Sequence, residues 1–303
     1  MGHRNRIVLA LLLAAPLAVL MAPAAGGVAP DGTGEGPKHC LWRARSATNT
    51  VYLLGSIHIM RPDAYPLATV IESAFSSSAV AVFEVDLSAG ATADSALGAL
   101  DAGRLPEGRT LSDVVSRETY QLARQRLADA GYDIAAFARM RPWMVATTLT
   151  VAELQRAGYS PDDGVDQRLQ RRANDAGMRV VGLETVDDQL ALFAELTPEE
   201  DEAFLVQTLS ELAALVPQVG ELTAHWQAGR VAEVEALLGE GFAAFPRLFE
   251  KLVADRNRRW LPQIEALLDG DQRAFVTVGA LHLVGDRGLV RLLEARGYQV
   301  EQL

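Results

Sequence analysis

Two stretches far apart in the chain repeat one pattern, and that repeat constrains the fold more than any other feature. Val51 to His58 reads VYLLGSIH and Phe275 to His282 reads FVTVGALH. Each is an apolar strand running into Gly-x-x-His, followed by a helix and another strand. Strands joined through a helix pair in parallel with right-handed crossovers, so two such units build one sheet. The predicted fold class is therefore α/β, with a mixed, largely parallel central sheet made from two strand–Gly-x-x-His–helix units. Between the units lies a long helical insertion, at about residues 100–270.

The remaining organisation follows from periodicity and punctuation. Residues 1–25 read as a secretory signal: His3, Arg4 and Arg6 open it, residues 7–22 are apolar, and Ala22-Pro23-Ala24 offers small residues for cleavage. Residues 26–38 form a Gly/Pro/Ala-rich leader without pattern, expected to be disordered, and 39–303 form one α/β domain. A hairpin is expected over 40–57 with its turn at Ala47-Thr48-Asn49. Helical spacing runs from Tyr65 to Ser77, and a buried strand from Ala79 to Phe83. Gly131 and Gly177 stop helices, Arg179 to Leu183 is a short strand, and Thr197-Pro198-Glu199-Glu200 is a capping box. A strand over 274–281, a helix over 286–295 and a strand over 298–303 close the chain. Beyond the signal, no segment reads as long and apolar enough to cross a bilayer.

Charge and cysteine usage exclude several classes. The net charge is −11, and loss of the signal removes two arginines and no acid, giving −13. So acidic a surface repels phosphate backbones, which argues against nucleic acid as a partner. Membrane contact is expected only where the signal stays uncleaved, so the expected address is periplasmic or secreted. A single cysteine, Cys40, excludes an internal disulfide, a cysteine-rich zinc site and an Fe–S cluster. It reads as a small buried hydrophobe. There is no P-loop, no dinucleotide glycine motif after a strand, no His-Glu-x-x-His and no Gly-x-Ser-x-Gly.

The chemistry is expected at the strand ends. Four strands finish in polar groups, at His58, Glu84-Val85-Asp86, Glu184 and His282. In an open α/β sheet, ligands bind beyond the carboxyl ends of the strands, so these groups would converge. Two imidazoles and a carboxylate make a reasonable set for a divalent metal with an open position for water, which places His58, Glu84 and His282 as metal candidates. Glu84 and Glu184 are candidates for proton transfer. Asn257 and Arg258, from the basic run Arg256 to Trp260, are candidates for stabilising an oxyanion. The same run also reads as a salt-bridged solvent face. His3, His39 and His225 lie where surface or packing roles are expected, and Arg141-Pro142-Trp143 reads as a packing kink.

With those residues in view, the chain resembles the TraB/PrgY/GumN family. The resemblance rests on Leu41-Trp42, Gly55-Ser56-Ile57-His58 with Tyr65-Pro66-Leu67, Phe83-Glu84-Val85-Asp86 and Arg141-Pro142-Trp143. It continues through Gly164-Val165-Asp166, Gly182-Leu183-Glu184-Thr185, Arg256-Asn257 with Trp260, and Val278 to Leu283. It implies an α/β fold shared with Tiki proteases and, more remotely, with erythromycin-esterase-like and ChaN-like proteins. It also implies a metal-dependent peptidase site at His58, Glu84 and His282, holding Mn²⁺, Co²⁺ or Zn²⁺. The expectation is an exported metal-dependent hydrolase acting on a peptide or small-molecule substrate. Two alternatives stand beside it: a metal-independent esterase-like hydrolase, and a non-catalytic binder of peptide, haem or metal.

Overall fold

The computed structural model describes residues 38–87, 98, 101–243 and 245–303. The expected signal and nearly all of the leader lie outside them. Among the described residues, six strands form one sheet: β1 (Leu41–Arg45), β2 (Thr50–Ser56), β3 (Val80–Val85), β4 (Arg179–Glu184), β5 (Ala274–Gly279) and β6 (Gln299–Gln302). Their order is β4-β3-β5-β2-β1-β6. The four strands β4, β3, β5 and β2 are parallel; β1 adds antiparallel to β2, and β6 adds antiparallel to β1. The two Gly-x-x-His strands, β2 and β5, are direct neighbours, as their shared pattern predicts. Both β3 and β5 are buried at every position, as expected of inner strands in a parallel sheet flanked by helices.

The β1–β2 turn is built by side chains. Ser46 Oγ accepts from the backbone N–H groups of Thr48 (3.1 Å) and Asn49 (2.9 Å). Asn49 Nδ2 then donates to Leu267 O and Gln272 O, tying the hairpin to the segment that leads into β5.

Helix α1 (Thr69–Ser76) starts later than the apolar spacing predicts. Tyr65 precedes Pro66 and is extended (φ −115°, ψ 150°), because a proline disfavours helical backbone at the residue before it. The last helix is likewise shorter than predicted, Leu289–Ala295, since the chain turns from Gly285 (φ +76°) to Gly288, whose N–H donates to Gly285 O (3.0 Å) and whose backbone is still extended.

In the insertion, α2 (Pro142–Arg156) and α3 (Val165–Asp175) precede β4, and α4 (Val186–Ala194), α5 (Pro198–Glu211) and α6 (Leu215–Gln227) follow it. The insertion is thus not purely helical: β4 returns to the sheet beside β3. The Arg141-Pro142-Trp143 kink does pack, as expected. Trp143 is fully buried and stacks on Phe193 at 4.5 Å, while Asp201 on α5 accepts from Trp143 N (2.6 Å) and Arg141 Nε (2.8 Å). The expectation that no later segment is membrane-length needs correction. Pro198–Gln227 is long and apolar enough by composition. It is broken by a 3-10 turn at Leu212–Ala214 and buries Phe204, Leu205, Leu209, Leu215 and Val219 in the protein core.

Candidate functional site

Each half of the repeat delivers its histidine differently. The register pairs Ser56 with Gly279 and Gly55 with Val278, so the two motif glycines are one residue out of step. Gly55 has no room for a side chain because a Cβ there would sit 3.0 Å from Ala280 Cα. Gly279 faces the histidines themselves: a Cβ would lie 3.0 Å from His58 Nε2 and 3.3 Å from Glu84 Oε1. His58 follows the end of β2, whereas His282 closes a 3-10 turn (Ala280–His282) directly after β5. Glu84 comes from the end of β3.

These three side chains converge. His58 Nε2 and His282 Nε2 each lie 3.9 Å from Glu84 Oε1, and all three residues are buried. Two nitrogens so close to one oxygen are well within the roughly 10 Å beyond which no single ion could be shared. Glu84 Oε1 accepts from Gly279 N (2.7 Å), and Oε2 accepts from Gln189 Nε2 (3.2 Å) and Arg256 (2.5 Å).

Both imidazoles are backed by a second group. Asp166 Oδ1 lies 3.0 Å from His58 Nδ1. The contact is electrostatic, since neither atom attains hydrogen-bond geometry. Asp166 reaches this place because the start of α3 is pinned to the end of β2. Val165 N donates to Ile57 O (3.0 Å), and Gly164 passes so close to the His58 carbonyl that a Cβ would collide with it. On the other side, Asn257 Nδ2 donates to His282 O (3.1 Å) and Arg287 O (2.8 Å). Its Oδ1 is therefore the acceptor for His282 Nδ1 at 2.7 Å, which leaves Nε2 of His282 as the lone pair.

That lone pair accepts from Arg256 Nη1 at 3.0 Å. Arg256 is buried on α7 (Asp255–Leu268), with its Cζ 4.5 Å from the Trp260 ring centre. A π-helical turn at Glu250–Ala254 precedes the helix, and Leu252 O within it accepts from Arg256 Nη1 at 3.0 Å. Glu184 holds the rest of the guanidinium, from Nε (3.0 Å) and Nη2 (2.6 Å).

The electrostatics separate the groups. Burial would raise the Glu84 carboxyl, but Arg256, the two imidazoles and the Gly279 N–H hold it well below the usual carboxylate range. Burial is the largest influence on His58 and disfavours its charged form, but Asp166 and Glu84 together more than offset it, raising His58 to about 9. For His282, burial and then Arg256 act together and lower it to about 3, so its ring is neutral.

The sequence candidates therefore divide. His58, Glu84 and His282 are brought together. Glu184 touches neither histidine and clamps Arg256. Asn257 orients His282. Arg258 lies outside the cluster, half exposed and paired with Glu250 and Asp255. Its neighbour Arg256 is the arginine inside. Asp166 and Arg256 entered the sequence reading only within motifs and the basic run, without a place in the cluster, and Gln189 did not enter it. Only Arg256 had a usable signal, its position four residues before Trp260 on the apolar stripe of the helix.

The resemblance implies a divalent ion held by these donors. The Nε2 atoms and Glu84 Oε1 face one another, but the His282 lone pair and Glu84 Oε2 are both engaged by Arg256. Among the described residues, no three His, Cys, Asp or Glu side chains are grouped so as to hold a metal ion. As arranged, the residues do not fit an ion.

The fold and site define an α/β protein with a buried histidine–glutamate–arginine cluster at the carboxyl edge of its parallel strands. The model of the TraB/PrgY/gumN family matches residues 40–302, and the chain belongs to that family. It is 26% identical over 259 residues to the uncharacterized protein YbaP of Escherichia coli (strain K12), covering 84% of this chain and 93% of that protein. The Shigella flexneri YbaP is 26% identical over 242 residues, 80% of this chain and 87% of that protein. No solved structure matches the chain.

Proposed function

We propose that the chain is an exported hydrolase in which His58 and Glu84 activate water directly against a peptide or ester carbonyl. One observation carries this reading: His58 Nε2 and Glu84 Oε1 face each other across 3.9 Å, too far for a mutual hydrogen bond, with Asp166 behind the imidazole. A water between them donates one proton to Nε2 and is oriented by Oε1. Asp166 favours the proton on Nδ1, keeps Nε2 facing the water and stabilises the imidazolium that forms, as in other carboxylate–histidine pairs. His58 then returns the proton to the leaving group. Glu84 stays ionised throughout, because Arg256 and the Gly279 N–H stabilise its charge.

A second reading, with a divalent ion at His58, Glu84 and His282, has one observation in its favour. Both imidazoles have their Nδ1 atoms backed by oxygen, at 3.0 and 2.7 Å, the arrangement usual behind metal-ligating histidines.

Turnover of peptide and ester libraries by the purified protein tests the proposal. Hydrolysis should vanish in His58→Ala and Glu84→Gln, persist in chelator, and rise with pH up to about 9, where His58 loses its proton. Loss of activity in chelator, restored by Mn²⁺ or Co²⁺, establishes the second reading instead. A wild type that hydrolyses nothing but binds a ligand that both variants lose is a binder.

A further inference from the structure

We infer that Arg256 is the built-in cation of this site: its guanidinium takes the place of a divalent ion between His282 and Glu84, and the three donors become a metal site only once it is removed. The inference rests on the metal-independent reading above and extends it to what the donors themselves can hold.

The geometry is specific. Arg256 Nη1 uses the single lone pair that His282 has available, at 3.0 Å, and Nη2 uses Glu84 Oε2 at 2.5 Å. A lone pair accepts one partner, so an ion ligated by His282 must first expel that N–H. Expulsion is opposed on every side. Nε and Nη2 donate to both oxygens of Glu184, Nη1 also donates to Leu252 O, and the guanidinium carbon lies 4.5 Å from the Trp260 ring centre. The residue is only 6% exposed, so the guanidinium has little access to solvent where it stands. A planar fork shared between two carboxylates is the geometry for which arginine is suited and lysine is not. Nor could the ion and the guanidinium coexist, since two buried cations would compete for one carboxylate at contact distance.

The donors nonetheless have the form of a metal set. His282 Nε2 points inward because Asn257 fixes its other nitrogen, and His58 Nε2 faces Glu84 with Asp166 behind it. With the guanidinium gone, the His282 lone pair and the Glu84 carboxylate are left facing His58, which gives up its proton when an ion binds, and that set is what a divalent cation binds.

Cobalt(II) absorption in the visible range tests this on the full-length protein at pH about 8, a readout of coordination and not of turnover. The variants are Arg256→Gln and the charge-balanced double variant Arg256→Gln/Glu184→Gln, with folding checked by circular dichroism. Should the single variant fail to fold, the double variant carries the test. One equivalent of cobalt should bind to the folded variants at least about 100-fold more tightly than to wild type, two decades in Kd. Adding His282→Ala should abolish the band. A wild type that binds one equivalent through His282 overturns the inference, because Arg256 then yields to the ion. Folded variants that bind no more cobalt than wild type overturn it too. A wild type without cobalt and without hydrolysis sinks only the hydrolase reading.

Discussion

Replacing Asp166 by Asn removes one charge from the site and almost no volume. In the wild type His58 is raised from 6.5 to about 9: burial works against the imidazolium, and Asp166 at 3.0 Å together with Glu84 more than reverses it. That difference corresponds to about 3 kcal/mol between the two protonation states. The folded chain binds this proton more tightly than the unfolded chain does. The stabilisation is therefore fully present below about pH 6.5 and is lost as pH rises through about 9. In Asp166→Asn, burial, already the largest influence, is left with Arg256 on its side and only Glu84 against it, so the pKa should fall below 6.5. The variant should thus be weakest relative to wild type in acid, with the gap closing toward pH 9. NMR titration of the His58 ring and urea denaturation at several pH values measure both effects. The rise of hydrolysis with pH should move down with the pKa. A His58 that still titrates near 9 in Asp166→Asn, or a stability gap flat between pH 6.5 and 9, would refute the assigned cause.

Three further outcomes are expected. Gly279→Ala places a methyl 3.0 Å from His58 Nε2 and 3.3 Å from Glu84 Oε1. It should cost about 1–3 kcal/mol in thermal or urea unfolding and a larger share of turnover, whereas activity within twofold of wild type would mean that the gap is not the reacting space. Asp201→Ala strips Arg141 Nε and Trp143 N of their shared carboxylate, so urea denaturation should show a loss of roughly 3 kcal/mol and a loss too small to measure would show the clamp to be ornamental. Intact mass of exported protein should begin near Ala24 or Ala25; a chain starting at Met1 or Gly2 and pelleting with membranes would contradict cleavage.

What could be read from the sequence, and what could not, follows from the range of the interactions involved. The sheet and the pairing of β2 with β5 were legible because a strand–helix–strand repeat has few ways to close. His58, Glu84 and His282 were legible because strand ends share one edge. Asp166 was legible only as part of the Gly164-Val165-Asp166 motif and not as a site residue, because an acid in the first turn of a helix is adequately explained by the helix dipole. Its role appears only when Val165 N bonds to Ile57 O and brings α3 against the end of β2. The basic run Arg256 to Arg259 was ambiguous as composition but not as phase. Trp260, Ile264 and Leu268 are buried at intervals of four along α7, and extending that stripe back one turn lands on Arg256. Arg258, two residues on, is turned by about 200° to the opposite face of the helix, where it meets Glu250 and Asp255 instead. A charged residue on an apolar stripe demands a buried partner. For Arg256 the sequence offered two, Glu84 and Glu184, at the ends of separate strands. The functional group was thus visible as a violation of the helical pattern, not as a member of the histidine motif.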